Sequence, residues 1–136
     1  MLPHKMILSI ISLLNPISAT PIYYLTNCYN NINTIQHAEI DYYKSAPVLP
    51  SSIPPSQIAV LNPSMTLDYE DGTWRAKKPF NITVVIGADA YVAKAGTDVG
   101  YATEGTGKVV SCYRLVRSVV YTPDDGSTCT ADYACY

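Results

Sequence analysis

Four cysteines, Cys28, Cys112, Cys129 and Cys135, in a chain of 136 residues constrain the fold more than any other feature. No two of them stand at the tight C-x2-C spacing of a zinc site, and His37 is the one histidine outside the leader, so no metal is expected. An even count without metal spacing reads as two disulfides formed in an oxidising compartment. Four cysteines allow three pairings. The short Cys129 to Cys135 spacing favours a local clasp, with Cys28 bonded to Cys112. A hairpin turning at Asp124-Asp125-Gly126 would instead set Cys135 opposite Cys112 and leave Cys28 for Cys129.

The N-terminus agrees with that compartment. Lys5 supplies a positive start, Met6 to Leu14 an apolar run, and Ile17-Ser18-Ala19 a small residue at the cut, the pattern of a secretory signal peptide over residues 1–19. The apolar run is about half the ~20 residues a bilayer span requires, and later apolar runs are shorter still, so no membrane span is expected in the mature form. Residues 20–136 then form a single secreted β domain. Apolar residues at 48% and charged residues at 15% provide enough burial to order such a chain. Net charge is −2 with no basic run, so no nucleic acid is expected as a partner. No cofactor motif is present. The partner expected is an extracellular or host target that the sequence does not identify.

Twelve tyrosines, ten prolines and seven glycines suit short strands and frequent turns. Pro21 to Thr26 reads as a strand, and Ala38 to Lys44 alternates polar and apolar residues as a second. Residues 45–56, with Pro47, Pro50, Pro54 and Pro55, read as an extended loop that donates few ladder hydrogen bonds. A short strand over 57–61 follows. Met65 to Tyr69 and Thr73 to Lys77, joined at Glu70-Asp71-Gly72, read as a hairpin. Phe80 to Ile86 and Val99 to Thr103 read as strands, with one or two helical turns between them over 88–95, ended by Gly96. Lys108 to Thr122 is a long β-rich run bending near Arg114 to Arg117, and the tail from Cys129 closes the fold. The expected architecture is mainly β, an antiparallel β-sandwich or small β-barrel with at most one short helix and two disulfides.

Chemistry-bearing residues are few. Asn81-Ile82-Thr83 is a glycosylation sequon, whereas Asn62-Pro63-Ser64 is blocked by proline. A glycan on Asn81 requires that side chain to face solvent, with Ile82 and Val84 inward. His37 and Glu39 are two apart and share a strand face, and Arg75 is the cation that would complete a hydrolytic set. Small exported fungal ribonucleases are similar in size, tyrosine content and disulfide number, but their acid and base chemistry takes a second histidine that this chain lacks. Asp68 and Glu70 share a face and form the carboxylate pair that glycoside hydrolysis would require. No G-x-S-x-G nucleophile elbow occurs, and Gly105-Thr106-Gly107 lacks the rest of a phosphate loop. No catalytic residues are therefore assigned. Trp74, Tyr42 and Tyr43 are the residues expected to supply an aromatic binding face, in a carbohydrate or cell-wall binding module if not in a protein interface.

The set Tyr23-Tyr24-Leu25-Thr26-Asn27-Cys28, Ala38-Glu39-Ile40-Asp41-Tyr42-Tyr43, Thr73-Trp74, Cys112-Tyr113-Arg114 and the tail Cys129 to Cys135 resembles the small secreted cysteine-containing proteins of filamentous fungi, many of them candidate effectors. The resemblance spans nearly the whole chain after the leader and departs from the pattern at 47–55 and 115–120. It implies a secreted, disulfide-stapled β domain that acts on a host or competitor, and it carries no catalytic residues with it. The expected function is that of a non-enzymatic effector or interaction protein acting outside the producing fungal cell, with a small secreted hydrolase such as a ribonuclease as the alternative.

Overall fold

In the computed structural model, which describes residues 20–136, eight antiparallel strands form one sheet: β1 (Ile22–Tyr29), β2 (Gln36–Tyr43), β3 (Gln57–Asn62), β4 (Gly72–Ala76), β5 (Ile82–Ile86), β6 (Asp98–Glu104), β7 (Val109–Tyr121) and β8 (Thr128–Cys135). The signal peptide expected over residues 1–19 lies outside the described residues. Strand order is β3-β2-β1-β8-β7-β6-β5-β4, an up-and-down meander in which β8 returns to β1. β3 and β4, at the two ends of the sheet, touch without exchanging ladder bonds. The sheet therefore curls into a nearly closed barrel, the second of the two architectures the sequence suggests.

Alternation fixes which side chains fill it. Tyr23, Leu25, Ala38, Ile40, Ile82, Val84, Ile86, Ala102 and Tyr133 pack inside. A second apolar cluster, with Ile22, Tyr24, Tyr43, Val120, Tyr121 and Ala131, lies on the outer face, where Leu49 of the proline-rich segment packs on it. That segment, residues 45–56, is a strap rather than a free loop. The Ser51 amide donates to the Val120 carbonyl at 2.7 Å, Tyr43 Oη donates to the Ile53 carbonyl at 3.2 Å, and Pro55 is buried.

The disulfides join Cys28 to Cys129 and Cys112 to Cys135. The Cys129–Cys135 clasp is thereby corrected: both residues belong to one extended strand, and the five residues between them set them about 20 Å apart. Each bridge instead ties β8 to a neighbour, Cys28 lying opposite Cys129 and Cys112 opposite Cys135.

The expected hairpin over 65–77 is also corrected, because β4 pairs with β5 and residues 65–69 join no strand. Their alternation has another cause. Leu67 and Tyr69 point into the barrel while Asp68 is exposed, so the segment stoppers one mouth. The Asn27 side chain holds it in place of a strand partner, its Nδ2 donating to the Leu67 carbonyl and its Oδ1 accepting from the Leu67 amide, each at 2.9 Å. The helical turns expected over 88–95 shrink to one 3-10 turn, Ala90–Val92.

Candidate functional site

The stoppered mouth is where the barrel departs most from regular pairing. Between Arg114 and Ser118 β7 gains residues relative to β8, and between Leu25 and Thr26 the β1–β8 register shifts so that Asp132 is the extra residue. Bulges re-aim side chains and concentrate beside functional sites. Here the two lie at one level, and they bring Arg114, Arg117 and Asp132 together.

Asp132 accepts from both guanidiniums, Arg114 Nη1 to Oδ1 and Arg117 Nη2 to Oδ2, each at 3.3 Å. Arg114 also donates to the carbonyls of Tyr91, Leu115 and Asp132, and its guanidinium lies 4.9 Å from the Tyr91 ring centre. The hydrogen bond to Asp132 raises the Arg117 guanidinium further above its ordinary range. Glu70 accepts a 2.5 Å hydrogen bond from Tyr133 Oη. Burial, and then this contact with Glu70, hold the Tyr133 phenol well above the usual tyrosine range, so it donates throughout the physiological range.

Two contiguous cavities of about 460 and 400 Å3 share Asn27, Asp68 and Arg117 across this mouth. The first continues past Gln36, Thr128 and Thr130 to Tyr29; the second passes Glu70 and Asp132 to Tyr91. Together they form a cleft of amides, hydroxyls and carboxylates, with Tyr29 lining the first cavity and Tyr91 the second. Asp68 and Glu70, set out from sequence as a carboxylate pair, both line it. Arg114, Arg117 and Asp132 were not read as site residues; their one signal in the sequence is the break in the β7 pattern.

Of the hydrolytic set, His37 Nε2 and Glu39 Oε1 meet at 2.5 Å on the outer face of β2. Glu39 is buried, and its Oε2 accepts from Tyr121 Oη at 2.8 Å. Arg75 is exposed on β4 and makes no side-chain hydrogen bond or ion pair among the described residues, so the three do not converge. Cys28 and Cys129 lie beside Glu39, but their sulfurs are bonded to each other and offer no thiolate.

The aromatic trio is placed in packing. Tyr43 is 1% exposed, Tyr42 stacks at 5.0 Å on Tyr23 inside the barrel, and Trp74 donates from Nε1 to the Tyr69 carbonyl at 3.0 Å. The indole lies so close over Gly72 that a Cβ there would sit 2.6 Å from the ring, so any larger residue at that position displaces the indole. Asn81 is exposed, with Ile82 and Val84 inward, the orientation a glycan requires.

Tyr69 holds the stopper. Its hydroxyl donates its one proton to the Thr26 carbonyl at 2.9 Å, with the Glu39 carbonyl sharing it at 3.3 Å, both buried. Tyr69→Phe keeps the ring and deletes this shared bond. We expect it to destabilise the fold by about 1–2 kcal/mol, read as a shift in the urea midpoint at unchanged slope. No change would mean that the stopper is held by packing alone.

In comparison with known proteins the chain matches no family model, no curated protein and no solved structure, so its chemistry stands on this geometry.

Proposed function

We propose that this chain is a secreted, non-enzymatic interaction protein of the effector type, matured by cleavage after Ala19, and that it recognises its extracellular or host target through the barrel mouth. The observation that carries the reading is the pair of β-bulges that aims Arg117 and Asp132 into a cleft already lined by Asn27, Asp68 and Glu70. Polar groups on rigid strands keep their geometry without a ligand, which lowers the ordering cost of recognition. The two buried disulfides suit an oxidising exterior, and no helix among the described residues is long and apolar enough to cross a membrane.

The test uses oxidised, fluorescently labelled protein on intact fungal and plant cell-wall fragments. Retention is expected on at least one surface. Charge reversal at Asp68 and Arg117 together is expected to reduce it at least about tenfold, while Ser52→Ala on the strap leaves it unchanged. Retention that ignores the double reversal would remove the mouth from the reading. RNA incubated with the protein is expected to stay intact; cleavage that disappears in His37→Ala would replace a binder with a ribonuclease. Mass spectrometry of the exported product is expected to find Thr20 at its N-terminus.

A further inference from the structure

We infer that the mouth cleft is an oligosaccharide site, and that its ligand is a neutral glycan segment lying between Tyr29 and Tyr91. The inference rests on the reading of the mouth as the recognition surface and adds the chemical class of what it holds.

Size comes first. Two joined cavities of about 460 and 400 Å3 each fall within the ~300–1,000 Å3 range of ligand sites, and together they leave room for more than one pyranose ring. Two cavities with three lining residues in common suit a chain of linked units rather than a compact metabolite. Charge comes second. Asp132 engages both guanidiniums, and Arg114 is held further by three backbone carbonyls. The charged residues lining the two cavities are Arg117 against Asp68, Glu70 and Asp132, a balance that disfavours a phosphate or a uronate. Asp68 and Glu70 face the cleft without a basic partner among the described residues, and they repel anions. A ligand rich in hydroxyl donors fits, because O–H bonds to carboxylates are charge-assisted and short.

Donor and acceptor balance is the third point. The Gln36 amide and the hydroxyls of Thr66, Thr128 and Thr130 both give and accept, as vicinal sugar hydroxyls do. An apolar or lipid ligand would strand these groups without partners. Two tyrosines supply the remaining contact. Tyr29 is 44% exposed and Tyr91 53%, each lining one cavity only, so each leaves aromatic surface for the C–H groups of a pyranose. The Arg114 guanidinium against the Tyr91 ring fixes the orientation of that platform.

Titration of the 15N-labelled, oxidised protein with chitohexaose, laminarihexaose and cellohexaose tests the assignment, with hexagalacturonate as the anionic arm. At least one neutral hexasaccharide is expected to shift amide resonances at Asn27, Asp68 and Glu70, and to bind more tightly than its own disaccharide. Asp68→Asn and Tyr91→Ala are each expected to weaken binding several-fold while the rest of the spectrum stays in place. The inference is overturned if no neutral hexasaccharide shifts these resonances at about 10 mM, or if hexagalacturonate binds best. If the sugars fail while wall retention still depends on Asp68 and Arg117, a protein target occupies the mouth and only the glycan assignment falls. Retention that ignores both residues removes the recognition reading itself.

Discussion

Replacing Cys28 and Cys129 together by alanine is expected to destabilise the protein by about 4–5 kcal/mol, more than the same change at Cys112 and Cys135, which is expected to remove about 3 kcal/mol. The difference follows from the chain each bridge closes: 101 residues in the first case and 23 in the second. A cross-link acts on the unfolded ensemble, and the entropy it removes grows with the logarithm of the loop. The first bridge also holds the closure of the meander, since β1 and β8 are far apart in sequence and their pairing completes the curl. All four cysteines are fully buried, so alanine leaves no exposed thiol and only a small void at each position. With a total stability of about 5–15 kcal/mol for a domain of ordinary size, loss of the first bridge takes a large share. Urea unfolding of the two double variants beside the parent measures both numbers. Equal losses, or a larger one at Cys112–Cys135, would show that native-state strain or residual unfolded structure outweighs loop length.

The pairing was open in the sequence for a reason the bulge explains. Cys129 and Cys135 are an even number of residues apart, so a regular strand would put both on one face. Asp132 is an extra residue, and it changes the parity: Ala131 and Cys129 pack in the outer cluster, whereas Tyr133 and Cys135 pack in the barrel. Each cysteine then meets a different neighbouring strand. Most strands were legible from alternation and turn residues; β2, β3, β6 and β7 lie within two residues of their expected ends, and the bend at Arg114 to Arg117 is the β7 bulge. The hairpin at 65–77 was misread because Leu67 and Tyr69 alternate as strand residues do, while their partner is a side-chain amide 40 positions away. The adjacent tyrosine pairs required a covering layer or an exposed aromatic face. Tyr24 and Tyr43 have the former, because the proline-rich segment lies over them. Within the cleft Asp68 and Glu70 were legible as neighbours on one face. Arg117 and Asp132 were not, since their meeting depends on two register shifts that no local pattern encodes.

Asp41→Asn is expected to stabilise the protein at neutral pH by roughly 2 kcal/mol and to leave it unchanged near pH 3.5. Asp41 is fully buried on the outer face of β2, and neither carboxyl oxygen has a hydrogen-bond partner among the described residues. Burial, and then the neighbouring Glu39 carboxyl, push its pKa well above the ordinary 3.8, against a smaller opposing effect from Thr26. The groups around it are Glu39, Tyr43, Tyr69 and Tyr121, with His37 held against Glu39; residues 45–56 of the strap bring no titratable side chain. The sign follows directly. Below about pH 3.8 Asp41 is protonated in folded and unfolded chains alike, and it imposes no pH dependence. As pH rises through that value the unfolded chain releases the proton while the folded chain retains it, so stability falls until folded Asp41 itself ionises. Asparagine mimics the protonated acid at every pH and removes this slope. The difference in stability between Asp41→Asn and the parent, measured by urea at intervals from pH 3.5 to 8, should therefore grow from near zero to its full value and then level off. A difference that is constant across the range, or a variant less stable than the parent at pH 7, would mean that Asp41 is ionised and stabilised in the folded protein.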